Sequence, residues 1–312
     1  MRLIKRFFQH YLRTGRLFKK LLNELERTER YTERELKAYQ EEALRKIIRL
    51  AYENVPYYRN VFKERKLTPG DIKGIDDIRK LPIIDKNTVQ ENFSDFKNAN
   101  FKGPIFKGLT SGTTGSPGVF MRDLYSINFE NAALWRQYKW AGKKPRTKRI
   151  TLRGELIFPS DRKAPPFWSY NPFGNELVMS SYHLSDKNIA YYIDAIKKVR
   201  PFDLYAYPST AYQLASYCGK RGRQLGFSCV FVSSETLVDY QRKAIEDNFG
   251  CKVFDWYGSA ERVSAICSCE EGMYHEVSDY SLTEYMPHGG CMYEAIGTTF
   301  HNYIMPLIRY ST

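Results

Sequence analysis

LTSGTTGSPGVF, residues 109–120, is the stretch from which the rest of the chain is read. Three glycines, Gly112, Gly115 and Gly118, are interleaved with the hydroxyls of Thr110, Ser111, Thr113 and Thr114. Glycine lets a backbone take φ > 0 and come close to a ligand. Successive amides turned inward make an anion-binding nest, and Ser and Thr hydroxyls add donors suited to phosphate oxygens. Pro117 stiffens the loop. The spacing is not that of the Walker A loop, because no Lys stands at the required place before a helix. The composition by itself also fits an ordinary turn, so the weight must come from elsewhere in the chain.

The 312 residues suffice for two domains or one large one, and 43% hydrophobic with 15% aromatic residues allows a sizeable core. Lys and Arg number 48 against 35 Asp and Glu, a formal net charge of +13. That excess favours anionic partners: nucleotides, acidic glycans, nucleic acid or an acidic membrane surface. Nucleic acid is set aside, since the basic residues are dispersed and no nucleic-acid module is present. Six cysteines in a chain of this size are not a disulfide scaffold and point to a reduced, cytoplasmic compartment. No run approaches the roughly 18 apolar residues of a membrane span. The N-terminus lacks the continuous apolar segment of a signal peptide.

Working outward, residues 1–34 read as a basic N-terminal helical segment and 35–312 as one large domain. Arg2, Lys5, Arg6, Arg13, Arg16, Lys19 and Lys20 are offset by no acid within residues 1–22, while Leu3, Ile4, Phe7, Phe8, Tyr11 and Leu12 recur at helical spacing. Such a helix can lie on an anionic bilayer as a peripheral contact at the inner face. The commoner outcome is an apolar stripe docked on its own domain. Leu36, Tyr39, Ala43, Leu44, Ile47, Ile48 and Ala51 predict a second helix, ending near Asn54 because Pro56 restricts the residue before it. Leu81-Pro82-Ile83-Ile84 reads as a small buried contact. The glycine loop should close a strand at Ile105–Leu109 and open another at Gly118–Met121. A helix is expected over Ser126–Trp140, a strand over Ile150–Phe158 and a loop over Asp161–Gly174.

From there helices and strands alternate. Helices are predicted from Ser185, a plausible N-cap, to Val199, over Thr210–Arg221 and over Val238–Phe249. Strands are predicted at Leu204–Tyr207, Cys229–Val232 and Val253–Trp256. Alternation of this kind implies βαβ units and an α/β fold with a largely parallel sheet flanked by helices. Ligands of such sheets sit beyond the C-terminal strand ends. Two loops fall there, Ser233-Ser234-Glu235-Thr236-Leu237 and Tyr257-Gly258-Ser259-Ala260-Glu261.

Three segments now agree in order and spacing: TSGTTGSPG (110–118), DWYGSAE (255–261) and PLIRYST (306–312). Together they resemble the adenylate-forming superfamily of acyl-CoA synthetases, adenylation domains and luciferases. The likeness is to the phenylacetate-CoA ligase branch and its CapK-like capsular-polysaccharide relatives. NVPYYR (54–59), SSETL (233–237), YGSAER (257–262) and the run EEGMYHEVSDYSLTEY (270–285) support it, over about residues 35 to 312. The resemblance implies the large N-terminal domain of an adenylate-forming enzyme. Its activity would be ATP-dependent activation of a small-molecule carboxylic acid as an acyl-adenylate, followed by transfer to CoA or an amine, in a setting such as surface-polysaccharide synthesis.

The same resemblance implies roles residue by residue. Thr110, Ser111, Gly112, Thr113, Thr114 and Gly115 would hold the β- and γ-phosphates of ATP. Ser233, Ser234 and Glu235 would lie against the base and the acyl pocket. Tyr257, followed by Gly258 and Ser259, would stack near adenine. Glu261 would help hold Mg²⁺, a hard cation that prefers oxygen ligands. The relatives' hydroxyl residue before that Glu is Ala260 here, so a donor toward the α-phosphate is missing unless Ser259 supplies it. The likeness also implies a continuation R-Y-x-T-G-D beyond Thr312, with an Asp for the ribose and a small C-terminal domain carrying a Lys. Neither is in the sequence, so a chain truncated at this hinge is expected to bind nucleotide weakly and adenylate slowly or not at all. The alternative is a non-catalytic basic module that keeps the fold to bind an acidic glycan or a membrane surface.

Two further sets stay open. Cys251, Cys267, Cys269 and His275 form a candidate Cys₃His set for a structural Zn²⁺, as in some relatives of this branch. Buried free thiols are the commoner reading. Trp168, Tyr170, Phe173, Tyr205 and Tyr207 are candidates for an aryl pocket, against the commoner fate of core packing. His183, His288 and His301 have no evident partner for catalysis.

Overall fold

The computed structural model describes Phe7, residues 10–110, 118–290 and 292–312. Chain contacts divide it into two units. A hairpin unit takes Leu12–Arg136, Gly258–Ile266 and Glu276–Thr312; a sheet unit takes Met1–Tyr11, Gln137–Tyr257 and Cys267–His275.

The hairpin unit opens with α1 (Arg16–Thr28), which buries Phe18, Leu21, Leu22 and Leu25. Phe18 meets Trp135 edge-on at 6.3 Å, so this part of the basic segment docks its stripe on its own unit. Residues 1–6, 8 and 9 lie outside the described residues. In α2 (Glu33–Asn54) a capping box starts the helix: the Thr32 hydroxyl accepts from the Glu35 amide, and the Glu35 carboxylate accepts from the Thr32 amide at 2.8 Å. Leu44, Ile47, Ile48 and Ala51 form its buried face. Pro56, which stops α2, is the first residue of α3 (Pro56–Glu64), where a missing N–H is harmless.

After α4 (Lys86–Glu91) the chain forms an antiparallel hairpin of β1 (Ile105–Leu109) and β2 (Val119–Asp123). Asp123 ends the hairpin and starts α5 (Leu124–Trp140). One of its oxygens accepts from the Ser126 amide at 2.7 Å, the other from the Tyr303 amide at 2.6 Å. The core of the unit joins the α2 face to Tyr58, Phe62, Leu81, Ile84 and Phe120, and to Val263, Leu282, Met305, Ile308 and Tyr310 from the far end of the chain.

The sheet unit is built on an eight-stranded sheet of order β10-β9-β8-β7-β6-β3-β5-β4. Its strands are β3 (Arg149–Arg153), β4 (Trp168–Asn171), β5 (Glu176–Ser180), β6 (Asp203–Ala206), β7 (Cys229–Ser233), β8 (Lys252–Gly258), β9 (Ala265–Ser268) and β10 (Tyr274–Glu276). β5, β3, β6, β7 and β8 pair in parallel, and β4 is an antiparallel edge. α6 (Ile189–Val199), α7 (Pro208–Lys220) and α8 (Asp239–Phe249) connect the strands. All five residues of β7 are buried, as a strand covered on both faces requires.

The α/β architecture follows the alternation read from the sequence, with three differences. The expected strand 150–158 stops at Arg153, where the Glu155 amide turns back onto the Arg153 carbonyl at 2.8 Å. The expected loop 161–174 contains β4, held by its pairing with β5. Helix α6 starts at Ile189, not Ser185, which caps it only through its carbonyl, accepting from the Ile189 amide at 2.9 Å. The hairpin unit closes with a three-stranded antiparallel sheet of β11 (Ser281–Pro287), β12 (Tyr293–Thr299) and β13 (Tyr310–Ser311).

Candidate functional site

In the hairpin unit the β1–β2 ladder ends on Leu109 paired with Val119. Beyond it, the Thr110 amide donates to the Gly118 carbonyl (3.0 Å) and the Gly118 amide donates to the Thr110 hydroxyl (2.8 Å). Thr110 therefore fixes where the glycine loop leaves and returns. Ser111, Gly112, Thr113, Thr114 and Gly115 lie outside the described residues. A Cβ at Gly118 would stand 3.0 Å from the Phe120 ring and 3.1 Å from the Thr110 hydroxyl, so the loop base is close-packed. The Phe120 ring stands edge-on to Tyr310 at 5.9 Å, and the Tyr310 hydroxyl donates to Glu261 Oε1 at 3.1 Å. The loop base, Phe120, Tyr310 and the Glu261 carboxylate form one contact path. Burial, then the Glu261 charge, pushes the Tyr310 phenol well up, which keeps it a donor.

The turn that carries Glu261 is held from β2. Arg122 Nε and Nη2 donate to the Ala260 carbonyl at 2.9 and 2.5 Å. Its guanidinium lies against Gly108, where a Cβ would fall 2.5 Å from it. Burial, then the Arg262 charge, lowers Arg122 to about 10, so it is still a cation at neutral pH. Arg262 takes φ +60° and donates to the Ser126 hydroxyl at 3.1 Å. The Ser259 hydroxyl is buried and has no hydrogen-bond partner among the described residues. Arg309, also at positive φ (+54°), is spent on structure: it grips Glu284 with two 2.9 Å hydrogen bonds and the Leu81 carbonyl with a third at 2.7 Å.

In the sheet unit a second group gathers at the C-terminal ends of β3, β6, β7 and β8. Arg153 donates to the Ser234 hydroxyl at 2.5 Å and to the Tyr205 hydroxyl. Its guanidinium lies over Tyr205 (4.5 Å to the ring centre) and Tyr207 (5.0 Å). Tyr205 and Ser233 hydroxyls are 3.4 Å apart. Ser234 takes φ +72°, turning the chain out of β7, and Glu235 accepts from the Ser209 amide in the first turn of α7 at 3.1 Å. Ser233 pairs with Trp256, which puts Tyr257 at the adjoining strand end, 42% exposed.

Ser234 is thus bonded directly to Arg153 and Ser233 neighbours it through Tyr205, whereas Glu235 turns to α7. A lone Arg in an alternating strand reads as a solvated position; only the shortness of β3 puts Arg153 at its tip. Arg122 of β2 is likewise a lone Arg in a strand, and its partner at Ala260 lies far along the chain. Of the aromatic candidates, Tyr205 and Tyr207 belong to this group. Trp168, Tyr170 and Phe173 do not: they lie on or just after the edge strand β4, where Trp168 packs on Tyr192 (5.8 Å) and Phe173 on Phe7 (5.3 Å).

The zinc set is corrected. Among the described residues no three His, Cys, Asp or Glu side chains meet in a way that could hold a metal ion, so Cys251, Cys267, Cys269 and His275 do not form a site. Cys267 is buried in β9 while His275 is exposed on β10. Cys251 is a free thiol, pushed up to about 12 by burial and then by Glu246. Glu261 suits Mg²⁺ on its own terms. One carboxylate oxygen accepts no hydrogen bond among the described residues, and Mg²⁺ is commonly held by one or two carboxylates, waters and substrate phosphates.

No protein-family profile matches the chain. It is 30% identical over 259 residues to the protein CapK of Staphylococcus aureus, covering 82% of this chain and 57% of that one. To a phenylacetate-coenzyme A ligase of Aromatoleum evansii it is 26% identical over 305 residues, covering 93% of this chain and 68% of the ligase. The chain therefore spans between about half and two thirds of the length of these relatives. The fold matches that of a 2-hydroxyisobutyryl-CoA ligase in an open conformation with 2-HIB-AMP and CoA, at a TM-score of 0.65 and 18% identity, over 86% of this chain and 66% of that one. No helix among the described residues is long and apolar enough to cross a membrane.

Proposed function

We propose, from a chain related in sequence to CapK and the phenylacetate-CoA ligases and in fold to adenylate-forming ligases, that it serves ATP-dependent activation of a small-molecule carboxylic acid. The acid would become an acyl-adenylate and pass to CoA or another acceptor, with surface-polysaccharide synthesis as the proposed setting. One observation carries this reading: the contact path from the Thr110–Gly118 closure through Phe120 and Tyr310 to the Glu261 carboxylate.

A carboxylate attacking an α-phosphate is an anion meeting a polyanion, so the site must supply positive charge and fixed donors. The amides and hydroxyls of residues 110–118 are the donors for the β- and γ-phosphates. Mg²⁺, when bound, would relieve charge on the phosphates and on leaving pyrophosphate. Glu261 is the residue to hold it, with Tyr310 fixing the carboxylate's other oxygen. Arg122 aims the Gly258–Glu261 turn by its grip on the Ala260 carbonyl. Ser259, whose hydroxyl has no partner among the described residues, is the proposed donor in place of the one lost at Ala260. Within the sheet unit, Ser233, Ser234, Glu235 and Tyr257 stand at the strand ends off which ligands of parallel sheets bind. In-line positioning is most of the remaining work.

The test is calorimetric titration of ATP with and without Mg²⁺. Wild-type protein should bind MgATP. Glu261→Gln, which keeps the shape and a hydrogen-bond acceptor for Tyr310 but drops the charge, should lose about tenfold in affinity, or roughly 1.4 kcal/mol, only when Mg²⁺ is present. Wild-type protein that ignores MgATP, or a variant with unchanged metal dependence, would end this reading.

A further inference from the structure

Arg149 and Arg153 stand at opposite ends of β3, and their surroundings differ. Arg149, with Lys143, surrounds the fully buried Asp203, so its charge is met by a carboxylate. Every partner of Arg153 among the described residues is neutral: the hydroxyls of Tyr205 and Ser234 and the faces of Tyr205 and Tyr207. Glu235, the acid on the turn that carries Ser234, is engaged by the Ser209 amide. A guanidinium carries five N–H donors in a planar fork matched to carboxylate. Two tyrosine rings and two hydroxyls fix this fork in place at the strand ends off which ligands of parallel sheets bind, while its Nε takes no hydrogen bond among the described residues.

We propose that Arg153 is a specificity-determining residue that reads a second carboxylate on the acid substrate, so that the acids activated are dicarboxylates. The assignment rests on the ligase reading above. The second carboxylate is the fitting target, because a guanidinium clamped on the reacting carboxylate would draw off the electron density its attack requires. A carboxylate that does not react can take a charge-assisted, two-pronged hydrogen bond with no such penalty.

Straight-chain dicarboxylates of about four to eight carbons, each paired with its ω-amide of equal length, are titrated into the MgATP-loaded protein. The amide keeps size and polarity and loses only the second charge, which a charged hydrogen bond should register as about tenfold in affinity. At least one dicarboxylate should bind about tenfold tighter than its amide. The ratio should fall to about one in Arg153→Gln and stay intermediate in Arg153→Lys, with near-ultraviolet circular dichroism confirming that both variants are folded. If MgATP binds but no pair is discriminated, or if Arg153→Gln keeps the ratio and loses ATP affinity instead, the assignment to the acid is overturned. Failure to bind MgATP at all strikes the ligase reading itself, which separates the two.

Discussion

His301 is a buried imidazole stacked on Phe129 at 4.6 Å and edge-on to Tyr280 at 4.2 Å. Its Nδ1–H donates to the Tyr280 carbonyl at 3.1 Å, and Nε2 has no hydrogen-bond partner among the described residues. Burial, then the Arg262 charge, holds its pKa down at about 3, so the folded protein keeps it neutral. The unfolded chain takes up this proton near pH 6.5. Between pH 6.5 and 3 the unfolded state holds the extra proton, and stability is lost as pH falls through that window, by about 1.4 kcal/mol per unit. Denaturant titrations at pH 7 and pH 5 should show a drop in wild type that is smaller by about 2 kcal/mol in His301→Gln. An equal drop in both would mean that the imidazole does not set the acid limit. The consequence for the candidate site is direct, since Arg262, which helps depress His301, follows Glu261 in the same turn.

Strand β12 shows what an element demands of one position. Gly297 pairs with Thr283 of β11, and a Cβ there would lie 2.3 Å from the Val263 carbonyl, a backbone atom that cannot rotate aside. Gly297→Ala should therefore cost about 2–3 kcal/mol through overpacking, read as a fall in denaturation midpoint; a midpoint within error of wild type would contradict the packing described. Elements also explain what could be read in advance. The βα alternation over 203–258 was legible because each apolar run there is a local signal, a buried strand or an amphipathic helix bounded by its own turns. β13 was not, because Tyr310 and Ser311 are strand only by virtue of partners at Ile84 and in β12. β4 likewise exists through β5. The site divides the same way. The candidates Glu261 and Ser233–Glu235 stand in motifs, whereas Arg153 acquires its place from where β3 ends and Arg122 from its grip on the distant Ala260 carbonyl. Cys251, Cys267, Cys269 and His275 misled because sequence spacing carries no information on which side chains turn inward.

At the scale of the molecule, the net charge of +13 makes attraction of small polyanions a property of the whole surface. Stopped-flow association of MgATP should slow several-fold between about 50 and 500 mM salt as the Debye length shrinks, with dissociation little changed. A salt-independent on-rate would assign capture to the local loop alone.

The interleaving of the hairpin unit bears on how the protein is made. Leu44, Phe62 and Phe120 complete their core only with Val263, Leu282 and Tyr310. A ribosome emits the former long before the latter, while residues 137–257 of the other unit arrive nearly uninterrupted. The nascent chain must therefore shelter the apolar faces of the helices bearing Leu44 and Phe62 until the strands that cover them emerge.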